Sequence, residues 1–113
     1  MTLKEFFERY YEIICSGNLD DLEPFYHTGA GVMAGAKSQF ESMRKQLSFK
    51  MTLRNVELLA KRDDLLIVRD VMTIEGEKEG QALDKRSENI HSLAKEGGQW
   101  RIFSTSTFPG GAE

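Results

Sequence analysis

Apolar residues recur at Leu3, Phe6, Phe7, Tyr10, Tyr11 and Ile14, the i, i+3, i+4, i+7 spacing that places them on one face of a helix. Thr2 and Glu5 have the spacing of a capping box and Gly17 supplies a stop, so the pattern predicts a helix from Leu3 to Ser16. Asn18 can cap a second, short helix over Leu19–Tyr26, with Leu19, Leu22, Phe25 and Tyr26 in period and Pro24 limiting it to one or two turns. The glycines of Thr28–Gly35 predict a loop with at most a short strand. A third helix follows, with Ser38 and Glu41 in capping-box spacing. Phe40, Met43 and Leu47 form its apolar stripe, and Lys37, Glu41 and Lys45 its exposed side.

From Lys50 the period changes to two. Four strands are predicted, Met51–Arg62, Leu65–Glu75, Ala82–Lys95 and Gln99–Phe108. Asp63-Asp64 and Gly97-Gly98 make tight turns, and Gly76–Gly80 a longer charged connection. Strands joined in this way pair antiparallel as a meander, and helices gathered ahead of strands define an α+β class. A chain of 113 residues with 40% hydrophobic and 29% charged residues is expected to fold as one domain, ordered over about 3–108, with Pro109–Glu113 as a frayed tail.

The order of helix, short helix, glycine-rich crossing, helix and long strands resembles the NTF2-like superfamily, with its ketosteroid-isomerase and SnoaL-like branches. The residues that carry the resemblance are Phe6–Ile14 running into Gly17-Asn18-Leu19-Asp20-Asp21-Leu22, Arg86 opening the penultimate strand, and Gly97-Gly98-Gln99-Trp100-Arg101-Ile102 entering the last. It implies a cystatin-like α+β cone in which a strongly curved sheet wraps the first helix and leaves a cavity at the open end. The outer sheet face of such proteins often makes a homodimer.

The residues support two covered faces independently. In Leu65–Glu75, Leu65, Ile67 and Val71 lie on one parity and Leu66, Val68, Met72 and Ile74 on the other, interrupted by Arg69 and Asp70. The helices can cover one face, and a second copy of the chain is the economical cover for the other. A homodimer through the sheet is therefore expected.

The net charge of −3, with charges scattered singly, offers no basic face for nucleic acid. The longest apolar run, Leu65–Val68, is far short of a membrane span, so a cytoplasmic protein without membrane contact is expected. Cys15 is the only cysteine, and a small packing residue is the reading its helical position favours. The two histidines lie far apart with no ligand spacing, and Gly29-Ala30-Gly31 lacks the frame of a dinucleotide loop, so neither metal nor nucleotide cofactor is expected.

Polar groups set among apolar neighbours are where a pocket would carry its chemistry. Asp70, flanked on its parity by Val68 and Met72, is a candidate base, weighed against an ion pair with Arg86 or Arg54. In Ala82–Lys95 both parities are polar, so the strand is either an exposed edge or the wall of a polar cavity. His91 is the second acid–base candidate, and Glu88 a natural partner for Arg86. In ketosteroid isomerases a tyrosine of the first helix donates to an oxyanion, and by resemblance Tyr10 or Tyr11 lies in the corresponding helix. The early aspartate base of those enzymes has no counterpart in Thr28–Gly35, which counts against isomerase activity. His27 is a possible substitute base, or a capping residue. Tyr11, Tyr26, Met33, Phe40, Met43, Arg86 and Trp100 complete the set expected to line or orient a ligand. Three functions fit these residues: a domain binding a small hydrophobic molecule, an isomerase, cyclase or dehydratase acting on one, and a dimeric interaction domain with a filled core.

Overall fold

The computed structural model describes residues 2–109; of the expected frayed tail Pro109–Glu113, Pro109 ends the last strand and the rest lies outside the described residues. Helix α1 spans Leu3–Ser16. The Thr2 hydroxyl accepts from the Glu5 N–H while the Glu5 carboxylate accepts from the Thr2 N–H, so the capping box closes in both directions. At the other end Arg44 donates to the carbonyls of Ile13 and Ile14, satisfying acceptors the helix leaves open.

Pro24 restricts the segment after Asn18 to a 3₁₀ helix, Leu19–Phe25. A further 3₁₀ turn covers Thr28–Ala30, and Gly31 (φ 64°) redirects the chain. Helix α2 then spans Met33–Gln46, beginning five residues ahead of the expected Ser38 cap. The left-handed Gly31 is what ends the loop, and Ser38 with Glu41 lies inside the helix. No side chain caps this start.

Four strands follow, β1 (Ser48–Lys61), β2 (Leu65–Lys78), β3 (Gln81–Glu96) and β4 (Gln99–Pro109), paired antiparallel in the order β1-β2-β3-β4. The expected long connection at Gly76–Gly80 is instead a two-residue turn. Glu79 (φ 52°) and Gly80 (φ 80°) both take positive φ, which matches the strand twist and lets β2 run on to Lys78. Extra residues bulge β1 at Arg54 and Leu59 and β4 at Phe103, and such bulges bend the sheet around α1.

The inner face buries Leu66, Val68 and Met72 of β2, Leu93 of β3 and Ile102 of β4 against Phe7, Tyr10, Tyr11 and Ile14 of α1. The opposite face carries Ile67, Val71 and Ile90 around Arg69, which pairs with Glu57 and Glu88 across three strands. β3 is thus an interior strand, and its alternating polar residues are not those of an exposed edge. No helix is long and apolar enough to cross a membrane among the described residues.

Gly76 of β2 leaves no room for a side chain beside β1: a Cβ there would lie 2.2 Å from the Ser48 carbonyl oxygen and 3.0 Å from the Phe49 Cα. Both neighbours are backbone and cannot rotate away. Gly76→Ala is expected to destabilise the fold by about 1–3 kcal/mol, read as a lower urea midpoint at unchanged slope. A change below about 0.5 kcal/mol would mean that β1 yields at this point.

Candidate functional site

Asp70 sits in the middle of β2 on the inner face and is fully buried. Its partners are not the arginines. Arg86 stands opposite Thr73 on the outer face, and Arg54 reaches Thr73 and Glu75 there, so the sheet itself separates both from Asp70. Glu88 pairs with Arg69.

Asp70 is held by three side chains from two other elements. Tyr11 of α1 donates its hydroxyl to Oδ2 at 2.7 Å, Asn89 of β3 donates Nδ2 to Oδ1 at 2.8 Å, and His91 Nε2 lies 2.6 Å from Oδ2. The network continues into β4: Thr107 donates to Asn89 Oδ1 at 2.8 Å, and Thr105 Oγ1 lies 2.8 Å from His91 Nδ1. With Nε2–H as the third donor to Asp70, Nδ1 accepts from the Thr105 hydroxyl. The imidazole stacks on Phe7, with centroids 4.5 Å apart.

A cavity of about 590 Å³ opens beside this network. Tyr10, Tyr11 and Ile14 form its α1 wall, Val32, Ala36, Gln39 and Phe40 its α2 wall, and Met51 and Met72 its apolar floor. Asn89, His91, Thr105 and Thr107 present the polar side, and Phe103 closes one rim. Among the described residues no Asp, Glu, Lys or Arg lines it. Tyr10 and Tyr26 share a hydrogen bond between their hydroxyls at 2.5 Å.

Of the residues singled out from sequence, Tyr10, Tyr11, Tyr26, Phe40 and His91 meet at this cavity, and Asp70 stands directly behind it. Met33 packs against the core from the start of α2, outside the lining. Met43 is half-buried and also outside it. Trp100 packs at the far end of β4 under Lys95, and Arg86 is exposed on the outer face; neither reaches the cavity. His27 is a capping residue whose Nδ1 accepts from the Gly29 N–H at 2.9 Å. Cys15 is half-buried, its sulfur accepting from the Met51 N–H at 3.0 Å. Reasoning from the sequence passed over Thr105 and Thr107; their alternation along β4, in step with Asn89 and His91 across the ladder, is the signal that could have found them.

The arrangement is an NTF2-like, cystatin-like fold, helices against a curved and unclosed sheet with a lateral cavity, and solved structures share it. Bd1075 of Bdellovibrio bacteriovorus superposes with a TM-score of 0.75 at 16% identity over 95% of this chain, which spans 40% of that protein's length. The β subunit of benzoate 1,2-dioxygenase from Burkholderia mallei gives 0.75 at 11% identity, covering 95% of this chain and 87% of that one. An NTF2-like protein with a cystatin-like fold from Novosphingobium aromaticivorans gives 0.71 at 14%, covering 93% and 77%. The chain belongs to the family described as the anti-sigma-I factor RsgI9 C-terminal domain, whose profile matches residues 5–108. No curated protein matches it in sequence.

Burial raises the Tyr10 hydroxyl well above the ordinary tyrosine value of 10.0, with the Tyr26 hydroxyl adding to it. Burial does the same to Tyr11, reinforced by the charge of Asp70. A raised value in the folded state favours the neutral phenol. Its stabilising effect is complete below about pH 10, the unfolded value, and is lost as pH rises towards the folded one. The fall in urea stability between about pH 9 and 11 should therefore be shallower in Tyr10→Phe and Tyr11→Phe than in the parent. An unchanged slope in both variants would refute the assignment.

Proposed function

We propose that this domain binds a small, uncharged, mainly apolar molecule carrying a hydrogen-bond acceptor. The observation that carries the reading is the cavity lining, apolar on the side of Met51, Met72, Phe40 and Val32, with hydroxyl and amide groups converging opposite and no formal charge. An ionised ligand would lose its hydration there without a counter-charge. Neutral tyrosines can donate to a carbonyl or ether oxygen.

Binding is favoured over proton abstraction because the acid–base groups are already engaged. Both oxygens of Asp70 and both ring nitrogens of His91 have partners within the protein, so neither offers a free atom to a substrate. The family description, an anti-sigma factor's C-terminal domain, supports a recognition module over an enzyme. Acetophenone, a neutral aromatic ketone, is expected to shift the NMR signals of Tyr10, Tyr26 and His91, and benzoate to bind at least about tenfold more weakly (~1.4 kcal/mol). Ala36→Trp, filling the cavity from α2, should abolish the shifts while the protein stays folded. Equal binding of benzoate, or shifts that survive Ala36→Trp, would refute this reading.

The outer sheet face supports a further part of the proposal, that a second copy covers the half-buried Ile67 and Ile90, with Arg69 and its two glutamates at the centre. Sedimentation at micromolar concentration is expected to give a dimer that Ile90→Lys converts to monomer. A parent protein that sediments as a monomer rules this out.

A further inference from the structure

The sheet has two edges, and they are built differently. β1 is guarded in the usual ways: Lys50, Arg54, Glu57 and Lys61 are distributed along it, and two bulges interrupt it. β4 is not guarded. From Phe103 to Phe108 it reads Phe-Ser-Thr-Ser-Thr-Phe, without a charge, and every one of these residues is exposed. β3 occupies one side of this stretch, and among the described residues no backbone group pairs with the other.

A fifth strand is begun there and abandoned. Tyr26 forms a parallel bridge to Ile102, and the His27 N–H donates to the Ile102 carbonyl at 2.9 Å. The chain then turns away at Thr28, leaving the edge open from the next residue of β4 onward. The open stretch is also a wall of the cavity: Phe103, Ser104, Thr105 and Thr107 line it, together with Gly31 and Val32 just ahead of α2 and Ala36 within it. An unpaired strand edge facing a helix across an apolar cavity supplies both requirements of strand addition, backbone partners in a row and a pocket for alternate side chains.

We infer that β4 accepts an extended, uncharged polypeptide segment as an added strand along Phe103–Phe108, and that one apolar side chain of that segment enters the cavity. Six residues of strand span roughly 20 Å, enough for a comparable stretch of peptide backbone. The partner is uncharged where it meets the domain because neither the edge nor the lining holds a charge to answer one. The side-chain part rests on the cavity reading above; the backbone part rests on the edge.

The test is selection from a random heptapeptide library on the whole chain, followed by synthesis of the enriched peptides. The expected peptides alternate apolar and polar residues, slow amide hydrogen exchange in Phe103–Phe108 at least tenfold, and are displaced by acetophenone. N-methylation of alternate peptide nitrogens should weaken binding at least tenfold on one edge of the peptide and leave it unchanged on the other. Acetophenone bound in the cavity, with no peptide enriched or with protection falling elsewhere, overturns strand addition and leaves the cavity reading standing. Failure of acetophenone as well overturns both. Concentration-dependent protection of Phe103–Phe108 without peptide gives the edge to a second copy and also overturns the proposal.

Discussion

A carboxyl group with no exposure, at the centre of the second strand of a small sheet, constrains everything packed around it. Left without partners, Asp70 would cost several kcal/mol, a large part of the stability a domain of this size has. The donors come from three directions at once. Tyr11 must stand at a fixed height above the sheet, which sets α1; Asn89 and His91 must lie on the inner parity of β3, which sets its register against β2. A slip of one residue in that ladder would turn both outwards and bring Glu88 and Ile90 in. The threonines of β4 extend the requirement to a third strand by occupying Asn89 Oδ1 and His91 Nδ1. The polar network therefore specifies one arrangement of elements that apolar packing alone would leave less defined.

The same network shapes the cavity. Because Asp70 takes its donors from the layer between itself and the open space, the charge is hidden and what faces the cavity is phenol, amide, imidazole and hydroxyl. Tyr10 and Tyr26 complete that surface with a hydrogen bond to each other, which leaves one hydroxyl proton available to a ligand acceptor. The dyad that looks most catalytic from its identities is thus the internal support of a cavity wall whose lining, among the described residues, carries no Asp, Glu, Lys or Arg.

Much of the fold was legible in the sequence because it depends on local chemistry. The α1 boundaries follow from Thr2, Glu5 and Gly17, and the strand order from tight turns at Asp63-Asp64 and Gly97-Gly98, where both glycines take positive φ. The start of α2 was not legible, because Gly31 rather than a capping side chain sets it and Ser38–Glu41 offers a competing signal of the right spacing. Asp70, His91 and three tyrosines could be picked out as polar or amphipathic groups in apolar surroundings. Their partners could not. Whether Asp70 meets Arg86 or Asn89 depends on how the parity of one strand aligns with that of the next, a property of the ladder which the register reveals and neither strand carries alone. Met43, Trp100 and Arg86 were assigned to a pocket for the same reason, from composition without facing.

The treatment of the two sheet edges ties these features together. An exposed edge invites pairing, and β1 resists it with charges and bulges although a bulge also costs ladder hydrogen bonds. Had solubility been the only demand, a lysine among Phe103–Phe108 would have served β4 equally. Such a charge at Thr105 or Thr107 would displace the hydroxyls that satisfy His91 and Asn89, and so expose the network that holds Asp70. At Ser106 that objection does not apply, since it stands opposite Ile90 on the outer face and away from the cavity lining. The neutrality of that position is required by neither the core nor the cavity. It is explained if the edge itself has an occupant.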